Sequence, residues 1–382
     1  MMNGQDYYSA LAPYLLNLSY TDNCDGEKAD DLQLQLADRD RKFINEWMPD
    51  KGVYIDVSII CERWFSPNGA TLSLDCGRFW IDSIEFELPQ HTVSVKAGSI
   101  PTDQRIKASD ETRGWENSSL KDIAQQIAGE NNMQLDYQSD VNPRYKRVEQ
   151  TEESGLRFLK KRANDAKLAI KVHRNTLVFF DEQTYEEKPP SFTLVYGNVP
   201  ATPGLACYRM SGGHFSTKLT DTTKSAEVAH VNPETGRLTK EKFSADDDEL
   251  DDELSDKLAE DPDFEPDEEG EDGTRMKLIV PRAEEGSAYW TLDDPKDNAG
   301  KGAGGKGAAQ RRAKAEVRDA NKDKENANVE MSIGNPLIAA GMTFQLVGVG
   351  QFDGKWFIES ATHDVAPMYT TKLNIRRCLE GY

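Results

Sequence analysis

The sequence predicts a mainly β protein of the α+β class, with an antiparallel β domain that is either a barrel or a sandwich, an α/β domain after it, and then a second β domain. Short runs of β-branched and aromatic residues recur at about ten-residue spacing up to residue 99 and again from residue 191, separated by Gly and Pro turns. Two segments between these regions instead repeat their apolar residues with helical spacing. The length of 382 residues fits two or three domains at about 150 residues each.

The first β domain, an antiparallel barrel or sandwich, is predicted to span residues 1–99. Its strand candidates are rich in β-branched or alternating apolar residues: Tyr54–Cys61, Thr71–Cys76, Phe79–Leu88 and His91–Lys96. The alternation in the third of these runs slips once, at Ser83, which predicts a β-bulge at that point.

The α/β domain is predicted to span residues 100–190. Its first helix follows the capping residues Asn117–Ser119 and places one apolar face inward, formed by Leu120, Ile123, Ala124 and Ile127. A second helix is predicted to open at Thr151 and to bury Leu156, Leu159 and Ala163. Two strands follow, at Leu168–Val172 and Thr176–Phe180.

The second β domain is predicted to be discontinuous, with residues 191–245 and 308–382 on either side of an insertion at 246–307. Neither flank alone has enough strands to close a core. The strand candidates are Phe192–Tyr196, Leu205–Met210, Asn328–Ile333, Met342–Val349, Lys355–His363 and Tyr369–Arg376. Within the insertion, the sequence predicts an apolar island at Met276–Val280 and a flexible Gly/Lys-rich linker at Lys301–Gly307. An exposed helix is predicted after it, at Ala308–Asn321.

The insertion begins with a dense acidic tract. Residues 246–272 hold 17 Asp or Glu residues and one basic residue, Lys257, for a net charge of −16. Removing this from the chain's −21 leaves −5, so nothing marks the folded part as a nucleic-acid binder. No register of the tract matches an EF-hand loop, and a solvated loop is predicted. A polyanion that occupies a basic groove on a partner or imitates nucleic acid is a second interpretation.

Composition excludes several other classes. No run of 18 apolar residues is present, so no membrane span is predicted, and the first twenty residues lack the basic start of a secretory signal peptide. The cysteines are odd in number and scattered, which favours reduced and mostly buried thiols: Cys24, Cys61, Cys76, Cys207 and Cys378.

No motif assigns a catalytic, cofactor-binding or metal-binding residue, and none is predicted. The segment Gly300–Gly307 approaches a phosphate-binding loop, but Gly307 stands where Ser or Thr would hold magnesium. The histidines are far apart, with no metal-binding spacing, and the strand residue His363 is predicted to serve packing or hydrogen bonding: His91, His173, His214, His230 and His363. Carboxylate pairs for glycoside hydrolysis cannot be selected among 67 acidic residues without geometry.

Three segments, taken in order and spacing, resemble the baseplate hub of contractile phage tails, the late-control protein D family. The first comprises Gly77-Arg-Phe-Trp-Ile-Asp-Ser-Ile84 and the helix entry Trp115–Ala128. The second runs from Glu153-Ser-Gly-Leu-Arg-Phe-Leu-Lys-Lys-Arg-Ala163 to Leu177–Glu182. The third is the C-terminal block: Gly334-Asn-Pro-Leu337, Ala340–Met342, Gly354-Lys-Trp-Phe-Ile358, His363 and Tyr369–Thr371.

The resemblance implies a structural protein with two similar antiparallel β-barrel domains per chain, an α/β domain between them, and the second barrel interrupted by the acidic insertion. Three copies would present six barrels to the sixfold tail tube and carry the threefold central spike on the other face, so the homotrimer would act as a symmetry adaptor. Implied partners are the tail spike, the tail tube and the baseplate wedge proteins, with the tape measure protein as a further candidate. The spike is expected to be a separate polypeptide.

The implied location is the tail baseplate of the virion, after assembly in the host cytoplasm. We expect an exposed C-terminal strand, with Arg376 and Arg377, either to contact neighbours in the ring or to form a solvated edge. A peptidoglycan hydrolase carried on the tail is the alternative function, and a partner-binding module that uses the acidic tract is a third.

Overall fold

The computed structural model describes most of the chain outside the insertion. The described residues are 6–24, 29–49, 53–66, 68–99, 106, 110–166, 168–173, 175–200, 202–218, 225–231, 238–244, 287–291, 322 and 324–378. The predicted apolar island, Gly/Lys-rich linker and helix at Ala308–Asn321 lie outside these residues, as does the acidic tract.

The first β unit is a five-stranded antiparallel sheet. After the helical turn α1 (Tyr8–Leu11) come its strands: β1 (Leu15–Asn23), β2 (Asp31–Ala37), β3 (Tyr54–Cys61), β4 (Leu72–Glu87) and β5 (Thr92–Gly98). Their spatial order is β1-β2-β5-β4-β3. The two strands predicted at 71–76 and 79–88 are one continuous strand, since Gly77 bends it with a φ of 95° without ending it. The predicted bulge is confirmed, because the β4–β5 register shifts between Ile81 and Ser83.

The α/β unit combines two small sheets with two longer helices and one short helix. Its elements are β6 (Asp110–Ser119), α2 (Leu120–Glu130), β7 (Gln134–Gln138), β8 (Arg144–Ser154), α3 (Gly155–Asp165), β9 (Ala169–His173), β10 (Thr176–Phe180) and the short α4 (Glu182–Glu187). Ser119 and Asp122 form the capping box expected of the first helix. The prediction that the second helix opens at Thr151 was wrong by four residues. Residues 151–154 extend β8 against β6, and Ser154 then caps the helix.

The second β unit contains the C-terminal strands. The remaining elements are β11 (Phe192–Val195), β12 (Ala206–Arg209), β13 (Gly212–Thr217), β14 (Ser225–Val231), β15 (Leu238–Ser244), β16 (Ser287–Thr291), β17 (Glu325–Met331), β18 (Thr343–Val347), β19 (Gly354–Val365) and β20 (Thr370–Arg377). The order within the unit is β13-β17-β20-β19-β18-β11-β12.

Two expectations for this region need correction. The second unit is not purely antiparallel, because β11 pairs in parallel with both β12 and β18. The ten residues between β11 and β12, with two prolines and two glycines, return the chain to the strand's starting end. The predicted flexible insertion also contains a strand, since β16 pairs in parallel with β14 in a separate three-stranded sheet.

The two β units share one twelve-stranded sheet. Strand β1 pairs with the C-terminal half of β19, from Asn23 opposite Ser360 to Leu18 opposite Val365. Three main apolar cores form, one within each β unit and one within the α/β unit. The domain boundaries at residues 99 and 190 and the closure of either β unit into a barrel remain predictions.

Five strands of each unit follow the same path. In chain order, β1 to β5 have the spatial order 1-2-5-4-3, and β13, β17, β18, β19 and β20 repeat that order with every neighbouring pair antiparallel. The second unit therefore repeats the topology of the first and adds β11 and β12 at one edge.

Candidate assembly surface

The fourth strand of each unit carries the same local motif. In β4 the sequence is Gly77-Arg-Phe-Trp-Ile-Asp-Ser83, and in β19 it is Gly354-Lys-Trp-Phe-Ile-Glu-Ser360. Both glycines have positive φ, 95° and 145°, which side chains rarely allow. Both strands then shift register at the acidic residue, between Ile81 and Ser83 and between Ile358 and Ser360. Alternation of apolar residues does not relate these two segments, although their shared glycine, aromatic and acidic positions are visible in the sequence.

The structural match extends to single contacts. The Ile81 amide donates to the Val53 carbonyl over 3.1 Å, and the Ile358 amide donates to the Met342 carbonyl over 2.9 Å. In each unit a ring from the first strand packs edge-on against the first aromatic residue of the motif. Tyr20 lies 5.8 Å from Phe79 at 73°, and Phe215 lies 5.9 Å from Trp356 at 78°. Residue-by-residue equivalence of the two units follows from these pairs.

The joint between the β units is a strand pairing with a buried polar centre. Tyr20 stacks on His363 with ring centroids 6.0 Å apart, and His363 Nδ1 lies 2.7 Å from the Tyr369 hydroxyl. The Thr21 and Thr362 hydroxyl oxygens are 3.1 Å apart across the two strands. Burial lowers the pKa of His363 to about 4, against smaller opposing effects of the Ile338 backbone and Asp364. His363 therefore serves packing and hydrogen bonding, as predicted.

The β1–β19 joint uses one edge of each unit, and the corresponding edges on the opposite units are those of β13 and β4. Neither has a strand partner there among the described residues. Strand β13 corresponds to β1, but its one recorded pairing is with β17. Residues 83–87 of β4 correspond to the part of β19 that receives β1, and they pair on one side with β5. We call these surfaces the β13 edge and the β4 edge. Such edges are sites at which another chain can extend a sheet.

The α/β unit is attached to the sheet at two buried ionic clusters. In the first, Lys171 of β9 bonds to Asp22 of β1 and lies 3.8 Å from Asp30, while His173 Nδ1 lies 2.9 Å from Asp30. Burial raises the pKa of Asp22, against the attraction of Lys171. Burial alone would lower the pKa of Lys171, but Asp30 and Asp22 together raise it, so the ammonium stays charged.

Arg376 forms the centre of the second cluster. It contacts Glu182 and Glu186 of α4 and Glu359 of β19, with Arg376–Glu182 at 3.0 Å and Arg376–Glu359 at 3.3 Å. The expectation that this pair of arginines lies on an exposed terminal strand was wrong. Strand β20 runs between β17 and β19, and the Arg376 side chain is 1% exposed. Its neighbour Arg377 is partly exposed and pairs with Glu325 at 2.9 Å.

A third contact closes the first unit onto the second. The indole nitrogen of Trp64, in the β3–β4 turn, donates to the Gly334 carbonyl over 2.6 Å, and its ring lies 5.6 Å from that of Tyr369. Phe65 lies 5.8 Å from Tyr208 of β12. The strand joint, the ionic clusters and this aromatic contact hold the three units in one arrangement.

The described residues do not assemble a recognisable reaction centre. No group of three or more His, Cys, Asp or Glu side chains among them is placed to hold a metal ion. The five cysteines form no disulfide, four of them are buried and Cys207 is exposed, and burial raises the pKa of Cys24 and Cys76 to about 12. An open polar cleft of about 650 Å³ beside β1 and β17 is lined largely by amide and hydroxyl side chains. Within the described part of the chain, no helix is long and apolar enough to cross a membrane.

Two repeated β units, joined by strand pairing and braced by buried ion pairs, define a structural component of an assembly. The chain belongs to the phage tail baseplate hub family, whose sequence model matches residues 100–367. It is therefore a structural tail protein and not an enzyme, and the hydrolase interpretation is set aside.

Solved tail proteins share the fold over nearly the whole chain. The 43 kDa tail protein of prophage MuSo2 from Shewanella oneidensis is 10% identical, with a TM-score of 0.60, over 95% of this chain and 94% of that one. A tail protein from Neisseria meningitidis MC58 is 11% identical, with a TM-score of 0.60, over 95% and 92%. Prophage tail protein gp18 from Listeria monocytogenes EGD-e is 12% identical, with a TM-score of 0.50, over 94% and 87%. No curated protein sequence matches the chain.

Proposed function

We propose that this chain is a homotrimeric symmetry adaptor in the baseplate of a contractile tail, joining the sixfold tail tube to the threefold central spike. The observation that carries the proposal is the repeated five-strand path in the two β units. Membership of the baseplate hub family supports the location.

The symmetry argument is geometric. A ring of six identical surfaces can be met by six similar β units, and three copies of a chain with two such units supply that number. The match between the units is close where it matters for such a ring, because strand order, bulge position and the aromatic pairs coincide. Strands β11 and β12 belong to the second unit and have no counterpart in the first, so the two units alternate around the ring. The ring therefore has threefold symmetry, which matches a threefold spike.

Rigidity is the second requirement. An adaptor transmits force between tube and spike, so its units must not rotate against one another. The β1–β19 pairing and the Arg376 and Lys171 clusters connect all three units through buried contacts. Removing one partner of a buried ion pair leaves an uncompensated charge, which penalises any arrangement other than the one observed.

The tail tube, the spike, the baseplate wedge proteins and the tape measure protein are the proposed partners, with assembly in the host cytoplasm before incorporation into the virion. Electron cryomicroscopy of purified tails tests the proposal. We expect three copies on the tail axis between the last tube ring and the spike. Absence of the chain from intact tails, or a position away from the axis, would contradict it.

A further inference from the structure

We infer that neighbouring copies of this chain join by antiparallel pairing of the β13 edge of one copy with the β4 edge of the next. The inference rests on the proposed trimer and specifies the surface that forms it. Within one chain, the first strand of the first unit pairs with the fourth strand of the second unit, as β1 does with β19. The equivalent pairing between copies uses the first strand of the second unit and the fourth strand of the first unit.

The equivalence of the units determines the register. Tyr20 corresponds to Phe215, and Thr21 corresponds to Ser216. The residues opposite Tyr20 and Thr21 in β2 pair with β5 at the same positions at which the residues opposite Phe215 and Ser216 in β17 pair with β20. His363 corresponds to Phe86 and Thr362 to Glu85, by their positions after the shared bulge.

Transferring the β1–β19 register gives the contacts between copies. It places Phe215 opposite Phe86 and Ser216 opposite Glu85. In the same register His214 faces Glu87, and Lys218 faces Ser83.

The chemistry of the two edges suits this register. The apolar contact of Phe215 with Phe86 replaces the stacking of Tyr20 on His363. The β4 edge presents Glu87 and Glu85, of which Glu85 is already paired with Lys96 of β5 at 2.8 Å, whereas the β13 edge has no acidic residue from Gly212 to Thr217 and is followed by Lys218, so no like charges meet in this register. In a chain of net charge −21, an edge without acidic residues favours this contact over contact between two acidic surfaces.

Pairings within chains and pairings between chains then alternate around a closed ring. A heterologous contact of this kind joins two different surfaces and forms a closed ring when the rotation between copies completes a circle. Three pairings within chains alternate with three between chains, so every β unit has an equivalent neighbour on each side. The β13 edge and the β4 edge are then both paired, as their equivalents β1 and β19 are within each chain, and the outer edge of β3 lies outside these pairings.

Engineered disulfides test the register. Thr21 and Thr362, the intrachain equivalents, have their hydroxyl oxygens 3.1 Å apart, so cysteines at Ser216 and Glu85 of adjacent copies are within disulfide reach. The variant Ser216→Cys/Glu85→Cys is prepared with Cys207→Ser, which removes the exposed native thiol. The control is Gly212→Cys/Glu85→Cys with Cys207→Ser. An added Cβ at Gly212 meets no atom within 4 Å, but the position lies four residues, roughly 13 Å, along the strand.

Oxidation is carried out on the purified full-length chain and on purified tails that carry it. We expect covalent dimers and trimers on non-reducing gels for the Ser216/Glu85 variant, at about tenfold the level of the control. Single-cysteine variants mixed together should yield covalent dimers only. Monomers alone from both preparations, or equal cross-linking of the control, would overturn the inference. Location of the chain on the tail axis is measured separately, so the adaptor function can stand when this register fails.

Discussion

Acidification should weaken the joint between the two β units, because His363 is buried there in its neutral form. Burial lowers its pKa from 6.5 to about 4, so the unfolded chain takes up a proton at a higher pH than the folded chain does. A group whose folded pKa is depressed contributes stability above its unfolded pKa and loses that contribution as the pH falls toward the folded value. The sensitive window therefore lies between about pH 6.5 and pH 4.

The magnitude follows from the shift. At pH 4 the histidine is fully protonated in the unfolded chain and half protonated in the folded one. The difference corresponds to about 3 kcal/mol at roughly 1.4 kcal/mol per pKa unit. His363→Gln keeps a polar side chain of similar reach but cannot take up the proton. The variant is expected to be less stable than wild type at pH 7, because the stacking on Tyr20 is lost, and to lose less stability on acidification.

The assay is urea unfolding at pH 7, 5 and 4, followed by far-UV circular dichroism for wild type and His363→Gln. Carboxylates titrate in both proteins, so the quantity of interest is the difference between their free energies of unfolding. That difference should shrink by about 3 kcal/mol from pH 7 to pH 4. NMR titration of the His363 ring supplies a second measurement. A constant difference in stability, together with ring protonation near pH 6.5, would refute the reasoning.

Three further outcomes are expected. Gly334→Ala should destabilise the fold by about 1–3 kcal/mol in thermal unfolding, because the added Cβ would lie 2.4 Å from the Tyr369 ring, whereas Gly129→Ala, with open space around it, should not destabilise. Arg376→Met should cost about 3–5 kcal/mol in urea unfolding, because it removes the guanidinium that pairs with the buried Glu186. The partly exposed Arg377→Met should cost less, and equal losses would contradict this account. Iodoacetamide under native conditions should label Cys207 and spare Cys24 and Cys76, because these two thiols are buried and have pKa values near 12. Mass spectrometry of the labelled peptides measures this, and rapid labelling of Cys24 would contradict its burial.

Local sequence signals were reliable where neighbouring residues decide the structure. The capping box at Ser119 depends on residues three positions apart, and the bulge before Ser83 is visible as a slip in alternation. The C-terminal strands are alternating runs between turns, so β17 to β20 lie close to their predicted positions. Predictions were wrong where a residue far away in the sequence determines the local structure. Residues 151–154 extend a strand because β6 lies beside them, and Arg376 is buried because α4 brings two glutamates to it.

The sequence by itself determined the class of the protein and its mixture of β and α/β regions. It also contains the Gly77 and Gly354 motifs that mark the internal repeat. Only the tertiary structure decided which strand edges meet, because backbone hydrogen bonds between strands are the same for every sequence and register depends on the surfaces that pack beside them. The pairing of β1 with β19, the buried histidine in that joint and the two corresponding edges, which have no partner in the described part of the chain, therefore emerge only when the chain is folded.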